Sequence, residues 1–281
     1  MKGMPPTRVS GRSAVGRPGL PPAAASPGGW VRPASWWRAW LAGIASDCPM
    51  CEGRARGGGL CEGCRADARA TQHPSQRRCD RCALRLGWAM PACPDCARCP
   101  PAYERVVAGG DYEAPADLLI TRLKGERRFA MAGPLAALIL DALAQPGAPP
   151  RPAGAALVPV PAARASLRRR GFNPAAEIAR ALARATGLPV RSSWLRRVAE
   201  GPRQASLDRA ARLGGAVAAY ACPVRLPPRP VLLVDDVMTT GATLDAAARA
   251  LRAAGASTVL GLVAMRAPAE DGGALAQYRL P

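Results

Sequence analysis

Aromatic side chains make up only 4% of this 281-residue chain, and phenylalanine occurs just twice. A core must therefore be assembled from alanine, leucine and valine, which the 49% apolar content can supply. That content also excludes disorder over the whole chain. No run of about 18 uncharged apolar residues occurs, which excludes a membrane-spanning helix. Lysine is nearly missing: of 39 basic residues, only Lys2 and Lys124 are lysines. Residues 1–35 contain no acid and no apolar h-region, so they do not read as a secretory signal. Without export, the expected compartment is the reducing cytoplasm.

What is abundant is arginine, and with it a formal net charge of +19. Arginine stays charged at any relevant pH and forks onto phosphates and carboxylates. The excess fits contact with nucleic acid or phosphorylated ligands. It equally fits compositional bias, because an Ala-, Arg-, Gly- and Pro-heavy chain resembles the product of a GC-rich coding sequence.

The length suggests two domains of unequal size. Residues 1–35 read as a disordered tail and 36–47 as a short helix. In that helix Trp37, Trp40, Leu41 and Ile44 share one face, expected to pack on the next domain, with a membrane-surface role as the second reading. Residues 48–100 hold nine of the 10 cysteines and form the expected metal-binding domain. Residues 101–266 alternate apolar runs with Ala/Leu/Arg helical patterns, and 267–281 form a C-terminal tail. Strands are expected at 106–112, 156–160, 230–237 and 258–265. Helices are expected near 115–124, 131–144, 174–186, 206–213 and 243–254. Strands separated by helices predict an α/β domain with a parallel sheet. The runs VLLVDDV and TVLGLVAM are continuous rather than alternating, as strands covered on both faces require.

Four Cys-x-x-Cys pairs follow one another: Cys48/Cys51, Cys61/Cys64, Cys79/Cys82 and Cys93/Cys96. Nine residues separate the first two pairs and ten the last two. Each pair brings two thiolates to one ion from a tight turn, and two such knuckles complete a tetrahedral site of four sulfurs. The near-equal spacings read as a duplicated unit holding about two structural zinc ions. Sequential pairing joins 48/51 to 61/64 and 79/82 to 93/96; crossed pairing remains open. Disulfides and an iron–sulfur cluster are the competing readings, and the knuckle spacing without an export signal favours zinc. Cys99, Cys222 and His73 read as incidental.

The most specific stretch is VLLVDDVMTTGATL, from Val231 to Leu244. A buried strand runs into Asp235 and Asp236, then a short loop, then a helix. Loop and helix N–H groups converge on one point, where the helix dipole favours an anion. Thr239, Thr240 and Thr243 add hydroxyls, Gly241 lets the backbone come close, and Ala242 completes the turn. No Gly-Lys-Ser/Thr follows, so the loop is not a Walker A loop. Two acids beside a phosphate cradle suit hydroxyls on the same ligand, or a magnesium ion. A sugar phosphate satisfies both halves.

This stretch resembles the phosphoribosyl pyrophosphate (PRPP) motif of type I phosphoribosyltransferases. The resemblance implies ribose hydroxyls on Asp235 and Asp236, and the 5′-phosphate on Thr239, Thr240, Gly241, Ala242 and Thr243. LVPVP at 157–161, RGFN at 170–173, Gln204 and Arg212 narrow it to the ComF/GntX family, over about 48–266. That family joins a zinc-ribbon module to a type I phosphoribosyltransferase-like domain. By the same resemblance Val158, Pro159 and Val160 lie near the pyrophosphate. Arg168, Arg169 and Arg170 would occupy a mobile segment after them, where arginines can stabilise a leaving pyrophosphate. Lys124 matches a lysine common at this place. Gly201 and Gly215 depart from the family, which often has Thr and Asn there.

The resemblance implies a protein that binds PRPP or a related ribose phosphate with Mg²⁺ and acts in DNA uptake during natural transformation, with competence proteins as partners. As an enzyme it would be a phosphoribosyltransferase. The alternative is a non-catalytic module handling single-stranded DNA, for which aromatic stacking groups are scarce.

Overall fold

A computed structural model describes residues 29–31, 36–70, 72, 76–87, 92–198 and 219–268. The helix expected at 206–213, Gly201, Gln204, Arg212, Gly215, His73 and most of both tails lie outside the described residues.

The α/β body holds a four-stranded parallel sheet, ordered β3-β8-β7-β4. Its strands are β3 (Arg105–Asp111), β4 (Ala156–Pro159), β7 (Pro230–Met238) and β8 (Thr258–Arg266). The connecting helices are α4 (Asp117–Lys124), α5 (Ala132–Leu143), α6 (Arg164–Arg170), α7 (Pro174–Thr186) and α8 (Ala242–Ala253). A two-residue ribbon, β5 (Arg196–Arg197) with β6 (Tyr220–Ala221), lies to one side.

Strand alternation divides the core. Leu232 and Val234 of β7 and Leu260 and Leu262 of β8 join a cluster with α4, α5 and α7. Val231, Leu233, Val259 and Val263 join a second cluster with α8. Both faces are covered, which accounts for the continuous apolar runs. Leucine, valine and alanine fill these clusters, as the scarcity of aromatics demands. On β3, a Cβ at Gly109 would sit 2.9 Å from the Ala264 carbonyl and 3.0 Å from the Ile139 nitrogen, so only glycine lets the α5 backbone lie on this strand.

The cysteine region folds as two copies of one local design. In the first, the Cys48 N–H donates to the Gly53 carbonyl at 2.7 Å and Glu52 takes φ +62°. In the second, the Cys79 N–H donates to the Leu84 carbonyl at 2.8 Å and Ala83 takes φ +57°. Each first knuckle is thus a turn, and each second knuckle opens a helix: α2 (Glu62–Ala70) after Cys61 and α3 (Pro94–Arg98) after Cys93. The first copy also carries the hairpin β1 (Ala45–Asp47) and β2 (Arg54–Arg56).

The two copies sit on opposite faces of the sheet. Cys48, Met50, Cys64 and Ala68 belong to the α5-side core, and Arg65 is ion-paired with Asp141 of α5. Cys82, Ala83, Leu84 and Cys93 belong to the α8-side core. In the second copy the Arg81 carbonyl accepts the Val106 N–H of β3 at 2.7 Å, and Arg78 pairs with buried Asp111 at 2.8 Å.

Two expectations need correction. The helix α1 (Trp36–Gly43) forms, but Trp40, Leu41 and Ile44 are exposed rather than packed on the next domain. The small face packs instead: Ala42 backbone would lie 3.0 Å from a Cβ at Gly57, and the Gly57 N–H donates to the Ile44 carbonyl. Arg168, Arg169 and Arg170 are the last turn of helix α6, closed by Gly171 at φ +82°, where no helix was expected. Among the described residues no helix is long and apolar enough to cross a membrane.

Candidate functional site

Ligands of open parallel sheets bind beyond the carboxyl ends of the strands. Here β7 delivers Asp235 and Asp236 to that edge. The Val160 N–H donates to the Val234 carbonyl at 2.9 Å, which docks the segment after β4 beside the acids. Val158 and Val160 are themselves buried in the α8-side core, so only the backbone of 158–160 can face a ligand. Asn173 holds this segment by donating to the Val160 carbonyl at 2.9 Å while its Oδ1 caps α7 at the Ala175 N–H.

The two acids are adjacent yet differently placed. Asp235 is 9% exposed, and its Oδ1 accepts the Asp236 N–H at 2.9 Å. Burial, then the neighbouring Asp236 charge, pushes the Asp235 carboxyl well above the usual carboxylate range. Burial also opposes ionisation of Asp236, but the Lys124 ammonium is ion-paired with its Oδ2 and holds this carboxyl below its ordinary value. The two carboxyls are thus shifted in opposite directions, Asp235 up and Asp236 down.

The loop is Thr239, Thr240 and Gly241, and α8 starts at Ala242, slightly earlier than its sequence pattern suggests. Gly241 is the helix N-cap at φ +84°. A Cβ there would lie 2.7 Å from Met238 Cε and 3.1 Å from Tyr103 Oη, so both conformation and space favour glycine. Thr240 Oγ1 accepts the Ala242 N–H at 3.4 Å, a weak local cap. The amides of Ala242 and Thr243 open a 12-residue helix, whose dipole favours an anion at this point. One edge thus carries an acid pair, a lysine and an anion cradle. Chemically it can hold hydroxyls or a divalent cation on one side and a phosphate on the other. Arg170 lies at the end of α6, and the backbone carbonyl of its neighbour Arg169 accepts from Arg127 Nη2 at 2.8 Å.

The cysteines assemble as two groups of four, Cys48, Cys51, Cys61 and Cys64, and Cys79, Cys82, Cys93 and Cys96. The sequential pairing is thus the one adopted. Within each group the Sγ atoms all lie within 4.8 Å of one another. Cys51–Cys61 and Cys82–Cys93 are 3.7 Å apart and Cys79–Cys96 3.8 Å. A tetrahedron with zinc–sulfur bonds of about 2.3 Å has an edge of about 3.8 Å, whereas a disulfide needs about 2.05 Å. Both groups could therefore hold a zinc ion. Without a cation the crowded thiols oppose one another: Cys82 is pushed up to about 12 by Cys79, while hydrogen bonds from Cys82 and Cys96 hold Cys79 far down. In the first group burial opposes the Cys48 thiolate, yet backbone hydrogen bonds from Cys51 and Cys61 bring it to about 6, while burial pushes Cys64 up. Four crowded thiols cannot all ionise without a cation among them.

Residues that sequence patterns did not single out complete the surroundings. Arg266 and Tyr103 are buried behind the loop, and Asp245 of α8 accepts the Ala102 N–H at 2.7 Å. An arginine ending an otherwise apolar strand, TVLGLVAMR, was the available signal for Arg266.

Residues 225–273 match the phosphoribosyl transferase domain family, a span that covers β7, the loop, α8 and β8. The DNA utilization protein YhgH of Salmonella typhi is 32% identical over 202 residues, covering 72% of this chain and 87% of that protein. Competence protein F of Haemophilus influenzae is 29% identical over 205 residues, and YhgH of Escherichia coli K12 30%, with the same coverage of both chains. A phosphoribosyl transferase domain, relatives of this extent and two four-cysteine groups ahead of the parallel sheet agree on one assignment: the chain belongs to the ComF family.

Proposed function

We propose that this protein binds PRPP or a related ribose 5-phosphate together with Mg²⁺. Asp235 and Asp236 take the ribose hydroxyls or the cation, and Thr239, Thr240, Gly241, Ala242 and Thr243 take the 5′-phosphate. The backbone of Val158, Pro159 and Val160 lines the pyrophosphate side, and Arg170 stands beyond it. Each four-cysteine group holds a structural zinc ion, which implies a reducing compartment such as the cytoplasm. The names of the relatives, Competence protein F and DNA utilization protein, support a role in DNA uptake. If the site turns over, the reaction is a phosphoribosyl transfer.

The observation that carries this reading is the adjacent acid pair, Asp235 buried and Asp236 ion-paired with Lys124, directly ahead of a left-handed glycine N-cap. Calorimetry with PRPP and Mg²⁺ tests it. Binding is expected for the native chain and lost with Asp235→Asn plus Asp236→Asn. Unchanged binding by that double variant refutes the ribose assignment.

A second reading has its own support. No carboxylate among the described residues pairs with Arg168, Arg169 or Arg170, and Phe129, 53% exposed, packs edge-on to Phe172 at 4.7 Å beside them. Arginines without a carboxylate partner, close in sequence to Phe172 of this ring pair, suit single-stranded DNA. Titration of an oligonucleotide at two salt concentrations is expected to give salt-dependent binding that weakens when the three arginines become glutamine. No binding at low salt removes this reading.

A further inference from the structure

Arg266 ends β8 and is only 3% exposed, yet it pairs with no carboxylate among the described residues. Its guanidinium donates to backbone carbonyls instead. Nε reaches Cys82 at 3.0 Å; Nη1 reaches Met238 at 3.2 Å, Thr239 at 2.5 Å and Ala267 at 2.6 Å. Cys82 is a ligand position of the second four-cysteine group, and Met238 and Thr239 are the start of the anion loop. One side chain therefore spans the two.

Three further contacts join the same parts. The Ala102 N–H, just past the second four-cysteine group, is held by Asp245 in the first turn of α8. Tyr103 Oη packs where a Cβ on Gly241 would stand. Cys82, Cys96, Tyr103, Gly241 and Arg266 line a shared cavity of about 50 Å³, barely larger than one or two waters. The first four-cysteine group has no such link among the described residues: it lies in the α5-side core, with Arg65 on Asp141 and Arg122 of α4 donating to the Pro49 carbonyl.

We infer that the second four-cysteine group sets the conformation of the anion loop, and that Arg266 is the positioning residue that transmits it. A buried guanidinium is costly unless its donors are satisfied and its charge balanced. A loaded group of four thiolates and one zinc ion carries a net charge of about −2, which supplies that balance on one side. On the other side the guanidinium fixes the carbonyls of Met238 and Thr239, so that the following amides turn toward the ligand edge. Its charge also lies behind the cradle and favours an anion in front of it. Lysine keeps the charge but cannot fork across both segments. The two metal groups thus differ in kind: the first braces α4 and α5, and the second belongs to the ligand site.

That the loop holds a phosphate rests on the function proposed above; the coupling does not. The test uses the full zinc-loaded chain and three variants: Arg266→Lys, Cys96→Ser and Cys51→Ser. Hydrogen exchange at the amides of 239–243 is read for each, alongside zinc content and PRPP binding by calorimetry. Arg266→Lys is expected to keep both zinc ions yet speed loop exchange about tenfold and weaken PRPP about tenfold. Cys96→Ser should do the same with one zinc lost, and Cys51→Ser should lose one zinc with loop exchange unchanged. Unchanged loop exchange in Arg266→Lys with both metals retained overturns the coupling. So does equal acceleration in Cys51→Ser, which would mark a general loss of stability. If Cys96→Ser fails to fold, Arg266→Lys decides. Failure of the native chain to bind PRPP refutes the phosphate reading, and the exchange data still decide the coupling.

Discussion

Gly241→Ala isolates the geometry of the anion loop, because Gly171→Ala supplies a matched control. Both glycines are left-handed, at φ +84° and +82°, but a Cβ on Gly171 meets nothing within 4 Å. Placing alanine in that conformation costs about 1–2 kcal/mol. The stiffer unfolded chain returns about 0.4–1 kcal/mol. Gly171→Ala should therefore cost about 1 kcal/mol. At Gly241 the new methyl also collides with Met238 Cε at 2.7 Å and crowds Tyr103 Oη at 3.1 Å. Met238 Cε is the end of a flexible chain, so overpacking adds about 1 kcal/mol, the low end of its range. For a folded body of this size each kcal/mol lowers Tm by about 2–4 °C. Differential scanning calorimetry should therefore show a fall of about 2–4 °C for Gly171→Ala and about 4–8 °C for Gly241→Ala. PRPP affinity should fall only in the second. Equal Tm shifts would refute the close packing of Tyr103 and Met238 on the loop. Undiminished PRPP binding by Gly241→Ala would refute the loop as the phosphate cradle.

Elemental analysis of the native chain should find about two zinc ions, one for each group of four sulfurs, and removal by a chelator should cost structure rather than chemistry alone. Asp111→Asn leaves Arg78 and Arg85 facing each other without the carboxylate that both now share, so it should destabilise by about 3–5 kcal/mol in urea unfolding. Asp141→Asn, whose partner Arg65 is half-exposed, should cost at most about 1 kcal/mol. Lys124→Met should reverse the contribution of Asp236 to the pH dependence of stability, adding it to the fall with rising pH that raised Asp235 already gives. In the native chain the depressed Asp236 contributes stability above its unfolded value of about 4, lost as pH falls through the folded value. Without the ammonium, burial raises Asp236 as it raises Asp235, and urea midpoints should instead fall as pH rises through those raised values.

What could be read from residues alone was whatever local spacing determines. Four Cys-x-x-Cys pairs at near-equal intervals declare two tetrahedral sites, and the structure groups them in chain order. Continuous apolar runs declare strands buried on both faces, and β7 and β8 are such strands. Long-range partners left no local trace. Arg266 meets Cys82 across 184 residues, and Asp245 meets Ala102 across 143. No helix was expected at 168–170 because a short basic run has no apolar stripe; α6 forms there, closed by Gly171, with Asn173 starting the next helix. The exposed face of α1 went the other way, since amphipathic spacing shows which residues align but not whether anything covers them.

Asp235 and Asp236 are adjacent, yet their carboxyls are shifted in opposite directions. A strand sends neighbouring side chains to opposite faces, so two consecutive acids meet two environments. Asp236 meets Lys124 of α4, whose Leu119, Ile120 and Leu123 sit in the α5-side core. Asp235 lies near Tyr220 of β6, in the α8-side core, where burial raises the Tyr220 hydroxyl as well. As placed, the carboxyl beside the ammonium favours its ionised, acceptor-only form, and the more buried one is shifted toward the protonated form that can donate. A vicinal diol can use that pair, donating to one group and accepting from the other. A dication would instead compete with Lys124 for Asp236. Hydroxyl recognition is thus compatible with the pair as it stands, and cation binding requires Asp236 to give up its ion pair with Lys124.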